Sequence, residues 1–156
     1  MEKTALSFLP IGIRIDNSDV LLIGGGKVAT HKASILSRFT NRITIAAKEI
    51  SGDLKDKGFT LVEKAYEPSV LDGHNIVYIC TDDHELNRTI TKDAHDKGLL
   101  VNVCDKPAES DFVSPAISLN GNITIAVGSD SKDVKRAIRI RNRINELIAN
   151  GTLQID

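Results

Sequence analysis

The feature that most constrains this chain is an apolar run, Val20-Leu21-Leu22-Ile23, that passes directly into Gly24-Gly25-Gly26 and then into a segment of helical period. A strand with no polar alternation has no face to offer water, so it must be covered on both sides. From Lys27 onward Val28, Ala29, Ala33, Ile35, Leu36 and Phe39 recur at near-helical spacing, and a helix over 27–39 is expected directly after the glycines. Strand, glycine turn and helix together open a βα unit.

The alternation continues down the chain. Residues 43–47 read as a second strand, 49–57 as a short helix closed by Gly58, and 59–63 as a third strand. After a helical turn at 67–71, residues 76–80 make a fourth buried strand, which Thr81-Asp82-Asp83 ends. A helix over 85–97 carries Leu86, Ile90 and Ala94 at i, i+4 and i+8 and stops at Gly98. A fifth strand at 99–103 leads into a polar loop, 104–111, containing Pro107.

Beyond that loop the pattern changes. Residues 115–119 and 123–127 flank Asn120-Gly121-Asn122 and read as an antiparallel hairpin. Residues 132–150 then form the longest helix, with Val134, Ile138, Ile144 and Ile148 on one face and Gly151 closing it. The expected fold is α/β: a Rossmann-like parallel sheet with helices on both faces over residues 1–111, followed by a small α+β dimerisation domain, hairpin plus long helix, over 112–156. A lone hairpin and helix cannot bury their own apolar face. A second copy of the chain is the expected cover, giving a homodimer.

Composition excludes several classes. Lys plus Arg number 20 against 21 Asp plus Glu, a formal net charge of -1, so no global positive field draws the chain to nucleic acid or anionic lipid. Tryptophan is absent and aromatics are few, which argues against a stacking surface for single strands. Apolar runs stop far short of the roughly 20 residues that span a bilayer, and Met1-Glu2-Lys3-Thr4 does not resemble a secretory leader. Cys80 and Cys104 sit in or just after apolar runs, as reduced thiols do, and a cytoplasmic protein is expected. His31, His74, His84 and His95 with the two cysteines match no zinc, haem or iron–sulfur spacing, so no metal site is expected.

Gly24-Gly25-Gly26-Lys27-Val28-Ala29 fits G-x-G-x-x-A in the context that gives the pattern meaning, between a buried strand and a helix. Gly24 permits the tight turn, Gly26 lets backbone amides approach a diphosphate, and Ala29 lets the helix lie on the sheet. The helix start supplies free N–H groups and partial positive charge, so Gly24, Gly25, Gly26, Lys27 and Val28 are candidate cofactor-binding residues. The competing reading is a glycine-rich turn with no ligand. At the end of the second strand, where a ribose-binding carboxylate is usual, the chain has Ala47, Lys48 and Glu49. Glu49 suits a ribose hydroxyl and Lys48 a 2′-phosphate, so NAD is preferred to NADP by a small margin. Thr81, Asp82 and Asp83 end the strand across the topological switch point and are candidates for the same ligand, with a helix cap as the alternative.

Phe8-Leu9-Pro10-Ile11, the Gly24 to Ala29 turn, Thr81-Asp82-Asp83, Val101-Asn102-Val103-Cys104-Asp105 and Asp111-Phe112-Val113-Ser114-Pro115-Ala116 occur together, the last two at a family-specific separation. Over about residues 6–149 the chain resembles the precorrin-2 dehydrogenase and sirohydrochlorin ferrochelatase family, the N-terminal region of sirohaem synthases. The resemblance implies an NAD-binding domain followed by a dimerisation domain, and oxidation of precorrin-2 to sirohydrochlorin with NAD⁺ as hydride acceptor. It leaves open whether Fe²⁺, as a substrate, is then inserted to give sirohaem. It assigns the catalytic role to Asp105; Ser114, Pro115, Ser129 and Arg136 are candidate substrate contacts.

The chemistry of Asp105 agrees with that role. Oxidation of the macrocycle releases a proton as well as a hydride, so a base is required beside the nicotinamide, and the C-terminal end of a parallel strand next to the switch point faces the cofactor crevice. The competing reading is a turn-forming aspartate ahead of Pro107. Lys132, Lys135, Arg136, Arg139, Arg141 and Arg143 on the last helix suit a polycarboxylate substrate, or a solvated basic face. The alternative to an oxidoreductase is a non-catalytic NAD- or tetrapyrrole-binding dimer. It is motivated by Gly128-Ser129-Asp130-Ser131-Lys132-Asp133, which departs from the family pattern.

Overall fold

The structure, a computed structural model, describes residues 5–155. The leader reading made at residues 1–4 lies outside them. Five strands form one parallel sheet: β1 (Asp19–Ile23), β2 (Ile43–Ala47), β3 (Thr60–Glu63), β4 (His74–Ile79) and β5 (Leu100–Val103), in the order β3-β2-β1-β4-β5. Chain direction across the sheet reverses at β1, which pairs with β2 on one side and β4 on the other.

The unbroken apolar run of β1 has a direct structural reason. Val20 and Leu22 pack on Ala29 and Ala33 of helix α1 (Lys27–Leu36), while Leu21 and Ile23 pack on Ile90 and Ala94 of helix α2 (His84–Asp96). All four strand residues are at most 3 % exposed, so every side chain contributes on the order of 1.5–3 kcal/mol of burial. The doubly covered α/β sheet read from the sequence is what the chain forms.

Helix α2 ends as its sequence specifies. Gly98 adopts φ 76°, and the Gly98 and Leu99 amides donate to the His95 and Ala94 carbonyls at 3.0 and 2.9 Å, a Schellman closure. Two local expectations fail. Helix α1 stops at Leu36, and Arg38 and Phe39 donate to Ile35 and Leu36 in tighter i+3 bonds, leaving Phe39 partly exposed. Residues 49–57 form no helix beyond a single 3₁₀ turn, Gly52–Leu54. There the backbone is claimed by neighbours: Ser51 N–H donates to the Gly25 carbonyl at 2.9 Å, Ile50 N–H to the Glu63 carboxylate at 3.2 Å, and Asp56 takes φ 61°.

The loop after β5 completes the edge of the sheet. Asp111 N–H donates to the Val101 carbonyl at 2.8 Å, its carboxylate accepts the Val101 amide at 2.9 Å, and Ser110 Oγ accepts the Val103 amide at 2.9 Å. Polar groups that an edge strand would leave open are thereby satisfied. Phe112 then sets its ring edge-on to Tyr78, with centroids 5.3 Å apart.

Residues Gly12–Phe112 form one compact unit, and residues from Val113 onward form a second with the segment 5–11, which the sequence reading had assigned to the first. Within the second unit Phe8 N–H donates to the Asp130 carboxylate at 3.0 Å. Strands β6 (Ala116–Asn120) and β7 (Ile123–Val127) pair antiparallel around Gly121, and helix α3 (Val134–Ala149) packs on them. Ser118 donates to Asn145, and Arg141 to the Ile117 carbonyl at 3.0 Å, so these polar groups fasten helix to hairpin. Asp133 caps α3 by accepting the Arg136 amide at 2.9 Å.

Candidate functional site

A cleft of about 600 Å³ opens at the carboxyl ends of β1, β2 and β4. That is the size class of small-molecule sites, and it lies at the switch point where open α/β sheets take ligands. Its floor is the glycine turn. Gly24 has φ 133°, and a β-carbon there would stand 2.6 Å from the Cys80 carbonyl oxygen, so only glycine lets β1 and β4 end this close together. At Gly25 a β-carbon would lie 2.0 Å from the Glu49 carbonyl oxygen. Gly26 differs: a β-carbon there meets nothing within 4 Å, and its open side belongs to the cleft.

Gly26 is also the N-cap of α1. No side chain caps that end, no acidic residue sits in the first turn, and the first helical bond is Thr30 N–H to the Gly26 carbonyl at 3.0 Å. The amides of the opening turn are left to an external acceptor, and the helix adds partial positive charge. A diphosphate matches that provision in charge, and the bare face of Gly26 gives it room.

Ten of the eleven residues named as cofactor contacts line this one cleft. Gly24, Gly25, Gly26, Lys27 and Val28 form its floor, Ala47, Lys48 and Glu49 the wall at the end of β2, and Thr81 and Asp82 the wall at the end of β4. Asp83 is not among the lining residues. Its carboxylate accepts the Glu85 and Leu86 amides at 3.1 and 3.0 Å as the N-cap of α2. Thr81 is held from behind: its hydroxyl donates to Asn87 Oδ1, and Asn87 Nδ2 donates to the Thr81 carbonyl at 2.9 Å. Asn87 is 4 % exposed, so this buried pair sets the course of the loop.

Sequence reading missed the third wall. Lys64, Ala65 and Tyr66 follow β3 and line the cleft, with Val70 and Leu86 behind them. The rule that ligands bind outside strand ends applied to β3 as well, and was the available signal. Lys64 pairs with Glu67 at 3.1 Å, and Tyr66 donates its hydroxyl to Asp93 at 2.9 Å. Burial and that bond hold the Tyr66 phenol above its ordinary range.

Asp105 is exposed and lies outside the cleft lining. It follows Cys104 in the turn after β5 with φ 65°, close enough for its charge to act on both Cys80 and Cys104. Cys80 itself lines the cleft. Ser114, Pro115, Ser129 and Arg136 all belong to the unit that begins at Val113. Ser129 Oγ accepts the Asp133 amide at 3.2 Å, and Arg136 stands exposed in the first turn of α3. His31 is exposed on α1, His84 opens α2, His74 bonds the Asp19 carbonyl and His95 pairs with Asp111 at 2.8 Å. Among the described residues no helix is long and apolar enough to cross a membrane.

Three comparisons bear on this geometry. The model of a family described as "Putative NAD(P)-binding" matches residues 11–116, the sheet, the glycine turn and the loop beyond β5. A siroheme synthase of Psychrobacter sp. (strain PRwf-1) is 37 % identical over 150 residues, 94 % of this chain and 31 % of that protein. One from Chromobacterium violaceum is 34 % identical over 154 residues, 94 % of this chain and 32 % of that protein. The chain thus spans about a third of the length of the curated relatives it matches. The solved structure of SirC, a precorrin-2 dehydrogenase, superposes with a TM-score of 0.77 at 18 % identity, over 89 % of this chain and 70 % of its own, a likeness of fold.

Proposed function

The chain belongs to this NAD(P)-binding family, and from that premise we propose that it oxidises precorrin-2 to sirohydrochlorin with NAD⁺ as the hydride acceptor. The observation that carries the reading is the cleft whose floor is the glycine turn and the uncapped start of α1. The similarity of nearly the whole chain to siroheme synthases supports the choice of substrate.

When bound, a nicotinamide dinucleotide supplies a two-electron acceptor, and the protein supplies position and proton handling. The amides of the first turn of α1 hold the diphosphate, and Gly24 and Gly26 let the backbone come close to it. Glu49 accepts from a ribose hydroxyl at the β2 wall. Lys48 and Lys64 line the same region and attract a 2′-phosphate, so the margin between NAD⁺ and NADP⁺ is small. Thr81 and Asp82, braced by Asn87, form the wall toward β4. The Asp105 carboxylate takes the proton released as the macrocycle is oxidised. Its exposed place at the end of β5, next to a residue in contact with the cleft wall, suits that task. For the substrate, Ser114 and Ser129 offer hydroxyls and Arg136 a guanidinium to carboxylates, with Pro115 beside Ser114.

The protein works as a homodimer. Val134 and Ile138, one turn apart on α3, are 56 and 39 % exposed, an apolar stripe that a second copy would cover. Light scattering should give twice 17.0 kDa, and a 17.0 kDa species alone would contradict this.

The deciding experiment follows NADH and the tetrapyrrole spectrum with precorrin-2 and NAD⁺ or NADP⁺, with and without Fe²⁺. Sirohydrochlorin with stoichiometric NADH supports the reading, and sirohaem on adding Fe²⁺ would extend it to metal insertion. Tight dinucleotide binding with no oxidation at any substrate concentration would favour a non-catalytic binding dimer.

A further inference from the structure

Cys80 and Cys104 are free thiols 24 positions apart, and the sheet brings their sulfurs to 2.8 Å, against about 2.05 Å in a formed disulfide. The approach follows from register. Ile79 pairs with Val103 across the parallel β4–β5 ladder, and the next residues on the two strands are Cys80 and Cys104. The Cys104 amide donates to the Ile79 carbonyl at 2.9 Å, so the backbones are still hydrogen-bonded at this point. Neighbouring strands lie about 4.8 Å apart, within the roughly 4.4–6.8 Å that a disulfide spans between α-carbons. Both residues are half-buried at the carboxyl edge of the sheet, where a small reagent can reach them.

We propose that Cys80 and Cys104 form a redox-active dithiol site that closes reversibly to an intrachain disulfide by exchange with a low-molecular-weight disulfide. The two sulfurs are set for different parts. The two thiols share one hydrogen bond, and the positive charge of Lys32 favours a thiolate at either sulfur. Cys104 follows the edge strand β5 and precedes the exposed Asp105, whereas Cys80 follows the interior strand β4. On that placement Cys104 is the attacking thiolate and Cys80 the resolving thiol.

In the first step the Cys104 thiolate attacks one sulfur of the small disulfide. A mixed disulfide forms and one small thiolate leaves. Cys80 then attacks Cys104 Sγ, its proton passes to the departing second thiolate, and the intrachain bond closes. Two protein thiols are oxidised and one small disulfide is reduced to two thiols. The closed pair ties the strand end that leads to Thr81 and Asp82 to the one that leads to Asp105.

The test needs neither dinucleotide nor tetrapyrrole, so its outcome is separable from that of the proposed activity. The full chain is equilibrated across a series of oxidised-to-reduced glutathione ratios, quenched with an alkylating reagent and weighed intact. Alkylation should fall from two thiols per chain to none, with the mass of a monomer less two hydrogens, and dithiothreitol should restore both. Cys80→Ser should trap glutathione on Cys104, while Cys104→Ser should take up at least tenfold less on Cys80, each variant being checked for native circular dichroism. Two alkylated thiols per wild-type chain throughout the series, or a disulfide joining two chains, would overturn the proposal. Equal trapping in the two variants would overturn the assignment of the attacking sulfur.

Discussion

Adjacent glycines in the cleft floor should respond to the same substitution in opposite ways. In Gly25→Ala the new methyl would lie 2.0 Å from the Glu49 carbonyl oxygen, 2.9 Å from the Ile50 α-carbon and 3.0 Å from the Glu49 carbonyl carbon. All three are backbone atoms, and the loop cannot back away without stretching the Ser51 to Gly25 hydrogen bond. Overpacking against atoms that cannot rotate aside costs about 3 kcal/mol, the upper part of the usual range. At this chain length each kcal/mol lowers Tm by roughly 2–4 °C, so a fall of about 6–12 °C is expected. In Gly26→Ala the methyl meets no protein atom within 4 Å, and φ −99° with ψ −158° is open to any residue. Its stability should change by less than about 1 kcal/mol. The methyl occupies the space left for a diphosphate, so NAD⁺ affinity should fall at least tenfold, or about 1.4 kcal/mol. Thermal unfolding followed by circular dichroism, with NAD⁺ titration by calorimetry, reads both quantities on the same samples. A wild-type Tm in Gly25→Ala, or wild-type NAD⁺ affinity in Gly26→Ala, would refute the packing argument.

Asp105→Asn should lower NADH formation by about 10²-fold or more, the usual worth of a positioned base. Its dissociation constant for NAD⁺ should stay within about twofold of wild type, because Asp105 is not part of the cleft lining; unchanged turnover would remove it from the mechanism. Asp83→Ala removes the acceptor for two amides at the start of α2 and should cost about 1 kcal/mol, read as a Tm lower by roughly 2–4 °C with NAD⁺ affinity retained. Tyr66→Phe tests pH linkage. The folded state holds the phenol protonated above its ordinary range, so its contribution is complete below about pH 10 and is lost as pH rises further and the unfolded chain ionises. Urea midpoints at pH 8 and about pH 11 should therefore fall more for wild type than for the variant, and equal falls would contradict the assignment.

Much of this molecule could be read from local pattern. The run from Val20 to Ile23 called for a sheet covered on both faces, and Ala29 and Ala33 are the small residues that let α1 lie on it. Gly98 and Asn120-Gly121-Asn122 marked a helix end and a hairpin because their backbone requirements act over three or four residues. The glycine turn likewise pointed to the cleft, since a strand end, a tight turn and a helix start are contiguous in the chain.

Whatever depended on which strand lies beside which was decided by the tertiary structure. Residues 49–51 carry helical pattern, yet their backbone is claimed by Gly25 and Glu63, neither of them a chain neighbour. Lys64 and Tyr66 became a cleft wall because β3 ends beside β2. Asp111, read as a signature residue, satisfies the edge of β5. Cys80 and Cys104, taken separately, were two buried thiols; parallel register alone set them side by side. Periodicity and turn chemistry act within a few residues and are written in the chain, whereas strand order and register are settled by summed burial across the whole sheet.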